Sequence, residues 1–185
     1  MNPSLFCKIA RLSIENAFSH TSLTIDPFVE ENPEWLNPGA TFVTLTLHGK
    51  LRGCIGSIVA HRPLIDDLIH NAQSAAFHDP RFPPLTMAEF DHAVIEVSLL
   101  TPPEPVEYTD AEDLSTKIHP QEDGVILIFG NHQATFLPQV WDEINDFDTF
   151  FAHLGMKAGI GSDPLSLHPD IYTYHVNKYK EEPHE

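Results

Sequence analysis

The stretch KLRGCIGS, residues 50–57, sets a cation and a thiol two positions apart among glycines. In an extended strand alternate side chains share a face. Arg52 and Cys54 are therefore expected to point one way, and Leu51 and Ile55 the other, toward a core. A nearby guanidinium favours the thiolate, the nucleophilic form of cysteine. Gly53 and Gly56 remove bulk, which lets a ligand or another backbone approach closely. The same residues also fit a packing role, with Cys54 a small buried hydrophobe and Arg52 half of a structural ion pair.

Two further pieces carry charge. In AVIEVSLLT, residues 93–101, Glu96 falls on the face shared by Val94, Ser98 and Leu100. A carboxylate in mid-strand needs a cation, a donor or water, and Arg52 and Arg81 are the natural cations. The alternative is an edge strand on which Glu96 is solvated. In HDPRFPP, residues 78–84, prolines stiffen the loop, so Asp79 and Arg81 are held as a binding site requires. A local Asp–Arg turn contact would explain them equally well. An activated cysteine normally needs a positioned base, and only His61 and His78 can be nominated. No HExxH, paired CxxC or GxSxG is present, so neither a metal site nor a serine nucleophile is expected.

Hydrophobic periodicity supplies the elements that must position these groups. A first helix is expected from Pro3, with Leu5, Ile9 and Leu12 on one face. Prolines 27, 33 and 38 argue for irregular chain over residues 20–40. ATFVTLTL alternates as a strand, turns at His48-Gly49-Lys50, and returns as LRGCIGS in an antiparallel hairpin. Ile65, Leu68, Ile69, Ala72 and Ala76 keep a helical period that ends near Phe77, because Asp79 precedes Pro80. Thr86 and Glu89 form a capping box for a short helical turn, and AVIEVSLLT follows as a strand. DAEDLSTKI reads as a helix, and GVILIFGNHQATFL as a hairpin turning at Gly130-Asn131. DTFFAHLGMKAG reads as an amphipathic helix with Lys157 near its C-terminus. IYTYHVNKY reads as one last strand and KEEPHE as a solvated tail. Hairpins interleaved with helices predict an α+β fold with mostly antiparallel pairing.

LRGCIGS, AAFHDPRFPPL, IEVSLLTPP, DGVILIFGNHQATFLPQVW and FFAHLGMKAG occur in this order. Together they resemble the AMMECR domain family, named for the AMME chromosomal region, whose microbial members are called AmmeMemoRadiSam system protein A. The resemblance covers roughly residues 5–178 and includes the intact hallmark LRGCIG at Leu51–Gly56. It implies a single α+β domain with a larger and a smaller lobe and the hexapeptide near a cleft between them. It also implies association with a Memo-type protein, which looks like a dioxygenase, and with a radical S-adenosylmethionine protein. It names no reaction and no cofactor. His119 stands where members often carry a basic residue between Ile118 and Pro120. The leading expectation is a small-molecule-binding, thiol-dependent enzyme with Cys54, Arg52 and Glu96 as catalytic residues. Gly53, Gly56, Asp79 and Arg81 would bind the substrate. The alternative is a non-catalytic adaptor that recognises partner proteins through the cleft or the DPRFPP loop.

The chain of 185 residues fits one domain, and its 42% apolar and 20% charged residues are a globular balance. No apolar run approaches the roughly 20 residues that span a bilayer, and the N-terminus lacks the features of a secretory signal. Two cysteines make no disulfide framework, so a reduced, cytoplasmic protein is expected. The net charge is −17, and between Arg81 and Lys157 the only Lys or Arg is Lys117. Such a surface repels phosphate backbones and anionic lipid, which argues against nucleic acid and membrane as ligands. Twelve histidines are present, and an imidazole's ordinary titration near pH 6.5 leads to the expectation that mild acidification takes the charge from −17 toward −5. Solubility is expected to be lower near pH 5 than at pH 8. Equal solubility at the two values in a precipitation assay would contradict this.

Overall fold

The computed structural model describes residues 4–182, and the helix start expected at Pro3 lies outside them. The chain forms two compact units. One takes it up to Leu100 and again from Asn177; the other spans Thr101–Val176. Both combine antiparallel sheet with helices, an α+β fold.

In the first unit β1 (Pro38–Leu47), β2 (Lys50–Gly56), β4 (Ala93–Leu100) and β9 (Val176–Lys180) lie in the order β2-β1-β4-β9, and β3 (Arg62–Pro63) pairs with the start of β1. His48 and Gly49 join β1 to β2 with φ of 50° and 76°, the left-handed pair that a two-residue hairpin turn demands. The helices α1 (Ser4–Phe18) and α3 (Leu64–Phe77) pack beside the sheet, and Val43, Leu45, Ile95 and Val97 share a core with Ile9, Ile14, Ile65 and Leu68. The buried face of α1 is Phe6, Cys7, Ile9, Ala10 and Ile14, rotated from the expected line, on which Leu5 and Leu12 are only half-buried. Residues 20–40 are more regular than expected. Pro27 sits in the first turn of α2 (Asp26–Glu31) and Pro33 opens a 3-10 turn, positions where a missing N–H leaves no bond unmade.

A buried carboxylate ties α3 to the sheet. Asp67 is fully buried and accepts from Thr41 N–H (2.9 Å), Thr41 Oγ1 (2.8 Å), Asn71 Nδ2 (2.9 Å) and Ser57 Oγ (2.6 Å). Such a group is tolerated only when its oxygens are met this completely. At its other end α3 crosses β2 at Gly53, where a Cβ would overlap the carbonyl oxygen of Ala75.

In the second unit β5 (Glu104–Pro105), β6 (Gly124–Phe129), β7 (His132–Phe136) and β8 (Asp170–Tyr174) run in the order β5-β8-β6-β7. Its core joins Leu114 of α5 (Ala111–Lys117) and Trp141 of α6 (Val140–Glu143) with Phe150, Phe151 and Leu154 of α7 (Phe147–Ala158). Trp141 stacks on Phe150 at 3.6 Å between ring centroids. Gly159 ends α7 with φ of 79°. IYTYHVNKY is two strands rather than one: it breaks at His175, so β8 serves one sheet and β9 the other. The C-terminal segment is also not merely solvated, because Glu181 pairs with Arg11 at 2.6 Å and accepts from the N–H of Ile95 at 3.0 Å.

Gly53→Ala tests the helix crossing. It is expected to destabilise the protein by about 2–3 kcal/mol, since backbone rather than a side chain must give way. A urea midpoint equal to wild type would show that α3 yields there freely.

Candidate functional site

The hexapeptide carries a β-bulge. Val43, Thr44 and Leu45 face Ile55, Cys54 and Gly53, but Thr46 faces Leu51, so Arg52 is the extra residue. One inserted residue reverses the face of everything beyond it. Leu51 consequently lies with Thr46 and is 44% exposed, not turned toward the core as simple alternation predicted.

Arg52 is buried, and its guanidinium grips Glu89 with Nε and Nη2 at 2.9 and 3.0 Å from the two carboxylate oxygens. Nη2 also reaches the Pro84 carbonyl at 3.4 Å. Glu89 lies in α4 (Met87–Phe90), where it completes the expected capping box by accepting from Thr86 N–H at 2.9 Å. Arg52, and then Thr86, pull its pKa down to about 2. Glu89 is thus cap and counter-ion together. The capping spacing revealed the first role; nothing local could reveal the second, because Arg52 lies 37 residues away.

Cys54 is clamped from the outer edge of the sheet. Asp79, buried just beyond α3, accepts its N–H at 2.9 Å, and Arg81 Nη2 donates to its carbonyl at 3.1 Å. The two clamping residues are themselves paired, with Arg81 Nε and Nη2 at 3.0 and 2.7 Å from the carboxylate oxygens. That pairing holds the Asp79 carboxyl well below the usual carboxylate range, helped by the N–H groups of Cys54 and Arg81. The Arg81 guanidinium is pushed up in turn, by Asp79 first and by the Cys54 thiol to a smaller extent. An ion pair therefore occupies backbone groups that an edge strand would leave open.

Because the N–H of Cys54 goes to Asp79, Cys54 and Thr44 form a non-hydrogen-bonded pair, the kind that brings side chains closest. Thr44 Oγ1 donates to Cys54 Sγ at 3.3 Å, a contact the sequence reading missed. Thr44 also faces Glu96 on its other side. Cys54, Thr44 and Glu96 therefore form one row across three strands, with the thiol and the carboxylate roughly 10 Å apart by two strand spacings. Glu96 is half-buried and makes no ion pair or side-chain hydrogen bond among the described residues; Arg52 and Arg81 are engaged elsewhere. The glycines serve packing: Gly53 admits α3, and Gly56 lies under the Phe42 ring. Neither His61 nor His78 bonds the thiol. His61 Nδ1 bonds the Val59 carbonyl (2.9 Å), and His78 closes α3 through its backbone. Cys7, by contrast, is 2% exposed, and burial together with the Glu181 carboxylate pushes its thiol up to about 11.

The second unit holds a cluster that spacing did not suggest. Asp123 is buried between two exposed histidines, accepting from His175 Nε2 at 2.9 Å and from His119 N–H at 2.7 Å, with His119 Nδ1 at 3.3 Å. His119 lies four residues from Asp123, but His175 is 52 away.

The sequence and the α+β fold are shared with other proteins. A family model described as AMMECR1 matches residues 7–179, and the chain belongs to the AMMECR1 family. It is similar to Protein MJ0810 of Methanocaldococcus jannaschii, 37% identical over 179 residues, covering 94% of this chain and 87% of that one. A protein of Methanothermobacter thermautotrophicus is 41% identical over 158 residues, covering 84% and 81%. The crystal structure of the uncharacterized protein PH0010 from Pyrococcus horikoshii matches with a TM-score of 0.81 at 34% identity, over 97% of this chain and 91% of that one. Among the described residues no helix is long and apolar enough to cross a membrane.

Replacing Arg52 tests its pairing with Glu89. Arg52→Met is expected to cost about 1–2 kcal/mol at pH 7, the gain being discounted because Glu89 is partly exposed. Glu89 has a folded-state pKa of about 2, below its ordinary 4.5. Its contribution is therefore complete above pH 4.5 and is lost as pH falls through 2. The gap between wild type and variant in denaturant melts should narrow over that window. A gap independent of pH would assign Arg52's contribution to packing instead.

Proposed function

We propose that this AMMECR1-family protein is a small-molecule-binding, thiol-dependent enzyme whose nucleophile is Cys54. The observation that carries the reading is the environment of the sulfur. It sits half-buried on a rigidly clamped edge strand, receives a hydrogen bond from the Thr44 hydroxyl, and has the Arg81 guanidinium bound to its own carbonyl. Donors and a fixed cation around a partly exposed thiol are the surroundings in which cysteines react. A substrate laid along the cross-strand row would meet the thiol at one end and the Glu96 carboxylate, as proton acceptor, at the other.

Within this proposal Arg52 has a different part from the one its position suggested. Held by Glu89 and the Pro84 carbonyl, it anchors the loop that brings Asp79 and Arg81 to Cys54. The reduced cytoplasm suits a chain with two free cysteines. Action beside a Memo-type and a radical S-adenosylmethionine protein rests on family resemblance alone.

Alkylation with iodoacetamide between pH 5 and 9 tests the proposal, with Cys7 as internal control. In the folded protein Cys54 should be modified well before Cys7, which is buried and has its pKa raised to about 11. The thiol-enzyme reading fails if Cys54 reacts no faster than Cys7, or reacts only after unfolding.

A further inference from the structure

We infer that Arg81 makes this site selective for anions: its ligands carry a carboxylate or similar oxyanion next to the carbon that Cys54 attacks. The inference rests on the reading of Cys54 as a nucleophile and adds the chemical class of what reaches it.

The geometry of Arg81 carries the step. Its Nε and Nη2 are committed to Asp79, Nη2 also to the Cys54 carbonyl, and the guanidinium also meets the Cys54 side chain, whereas Nη1 donates to no oxygen or nitrogen among the described residues. The Arg81 side chain is 53% exposed while that of Asp79 is 2% exposed. The carboxylate is therefore the covered partner of the pair and the guanidinium the exposed one. Both Asp79 oxygens are met by N–H donors, from Arg81 on one and from Arg81 and Cys54 on the other. Its negative charge is directed inward, and an incoming anion meets N–H groups first. With Nε and Nη2 occupied, Nη1 is the nitrogen left to make a single charge-assisted hydrogen bond to a carboxylate oxygen. The guanidinium is held in place, because Nε and Nη2 bind Asp79 and Nη2 also binds the carbonyl of the residue that bears the thiol. The Phe82 ring lies 5.5 Å from its central carbon.

The background sharpens the selectivity. With a net charge of −17, the protein as a whole repels anions. A cation held at a nucleophile is one of few places where an anionic molecule gains on approach, and it would orient that molecule toward the sulfur.

Iodoacetate and iodoacetamide have the same reactive carbon and differ in charge, so they separate anchoring from thiol reactivity. With either reagent a carbon–sulfur bond forms, the carbon–iodine bond breaks, iodide leaves with the electron pair, and the thiol proton passes to solvent. The rates at Cys54 are followed by peptide mass spectrometry on the full chain, folded and in urea. The iodoacetate-to-iodoacetamide rate ratio at Cys54 should be about tenfold higher in the folded protein than in the unfolded chain, as one charge-assisted contact allows. Added acetate or salt should lower it. Arg81→Gln should slow iodoacetate more than iodoacetamide and return the ratio to its unfolded value.

A folded wild-type ratio at or below the unfolded one overturns the inference without reference to any variant. If iodoacetamide still modifies Cys54 ahead of Cys7, the thiol reading survives and only anion selection falls. If Cys54 resists both reagents, both fall.

Discussion

The close crossing of α3 over β2 at Gly53 is the constraint from which the candidate site follows. Only a residue without a Cβ lets the Ala75 carbonyl lie against the strand. Once it does, the chain leaving α3 emerges at the sheet edge, and Asp79 is two residues beyond Phe77, within reach of the Cys54 N–H. A bulkier residue at 53 would lift the helix end and withdraw the carboxylate from the strand. The glycine that looked like room for a ligand is filled by the protein's own backbone, and the site lies one residue further along.

Two ion pairs then divide the work of the hexapeptide. Arg52–Glu89 is inward and holds the proline-rich loop through α4; Asp79–Arg81 is at the edge and holds Cys54 through its backbone. Each pair is bidentate, with distances between 2.7 and 3.0 Å. Bidentate geometry fixes orientation as well as position. The chain has only ten Lys and Arg residues, and two of them are spent here, on a few residues around one thiol. Cys7 lies against the carbonyls of Ile95 and Tyr179 in the core, and burial raises its pKa. Two thiols of one chain thus have opposite surroundings: acceptors and apolar groups for one, a hydroxyl donor and a guanidinium for the other.

Much of this was legible in the residues themselves. The β1–β2 hairpin, the helical period of residues 65–76, the Thr86–Glu89 capping box, the turn at Gly130 and the α+β class all follow from local rules of periodicity and turn chemistry. Those rules act over a few residues, and the structure agrees with them. The five ordered motifs carried the family, because together they run from Leu51 to Gly159 in a fixed order.

What the tertiary structure alone decided was everything set by partners far apart in the chain. Alternation placed Arg52 and Cys54 together and offered Glu96 a cation, but a single bulge turned Leu51 outward, and Arg52 found Glu89 instead. The break of the last strand at His175, the anchoring of Glu181 on Arg11, and the meeting of Asp123 with His175 were equally hidden. Periodicity reports which face of an element is apolar; it carries no information about which charged group from elsewhere will meet a given side chain. Cys54 was marked by its motif, while its actual neighbours, Thr44, Asp79 and Arg81, were chosen by strand register and by the path of the chain leaving α3.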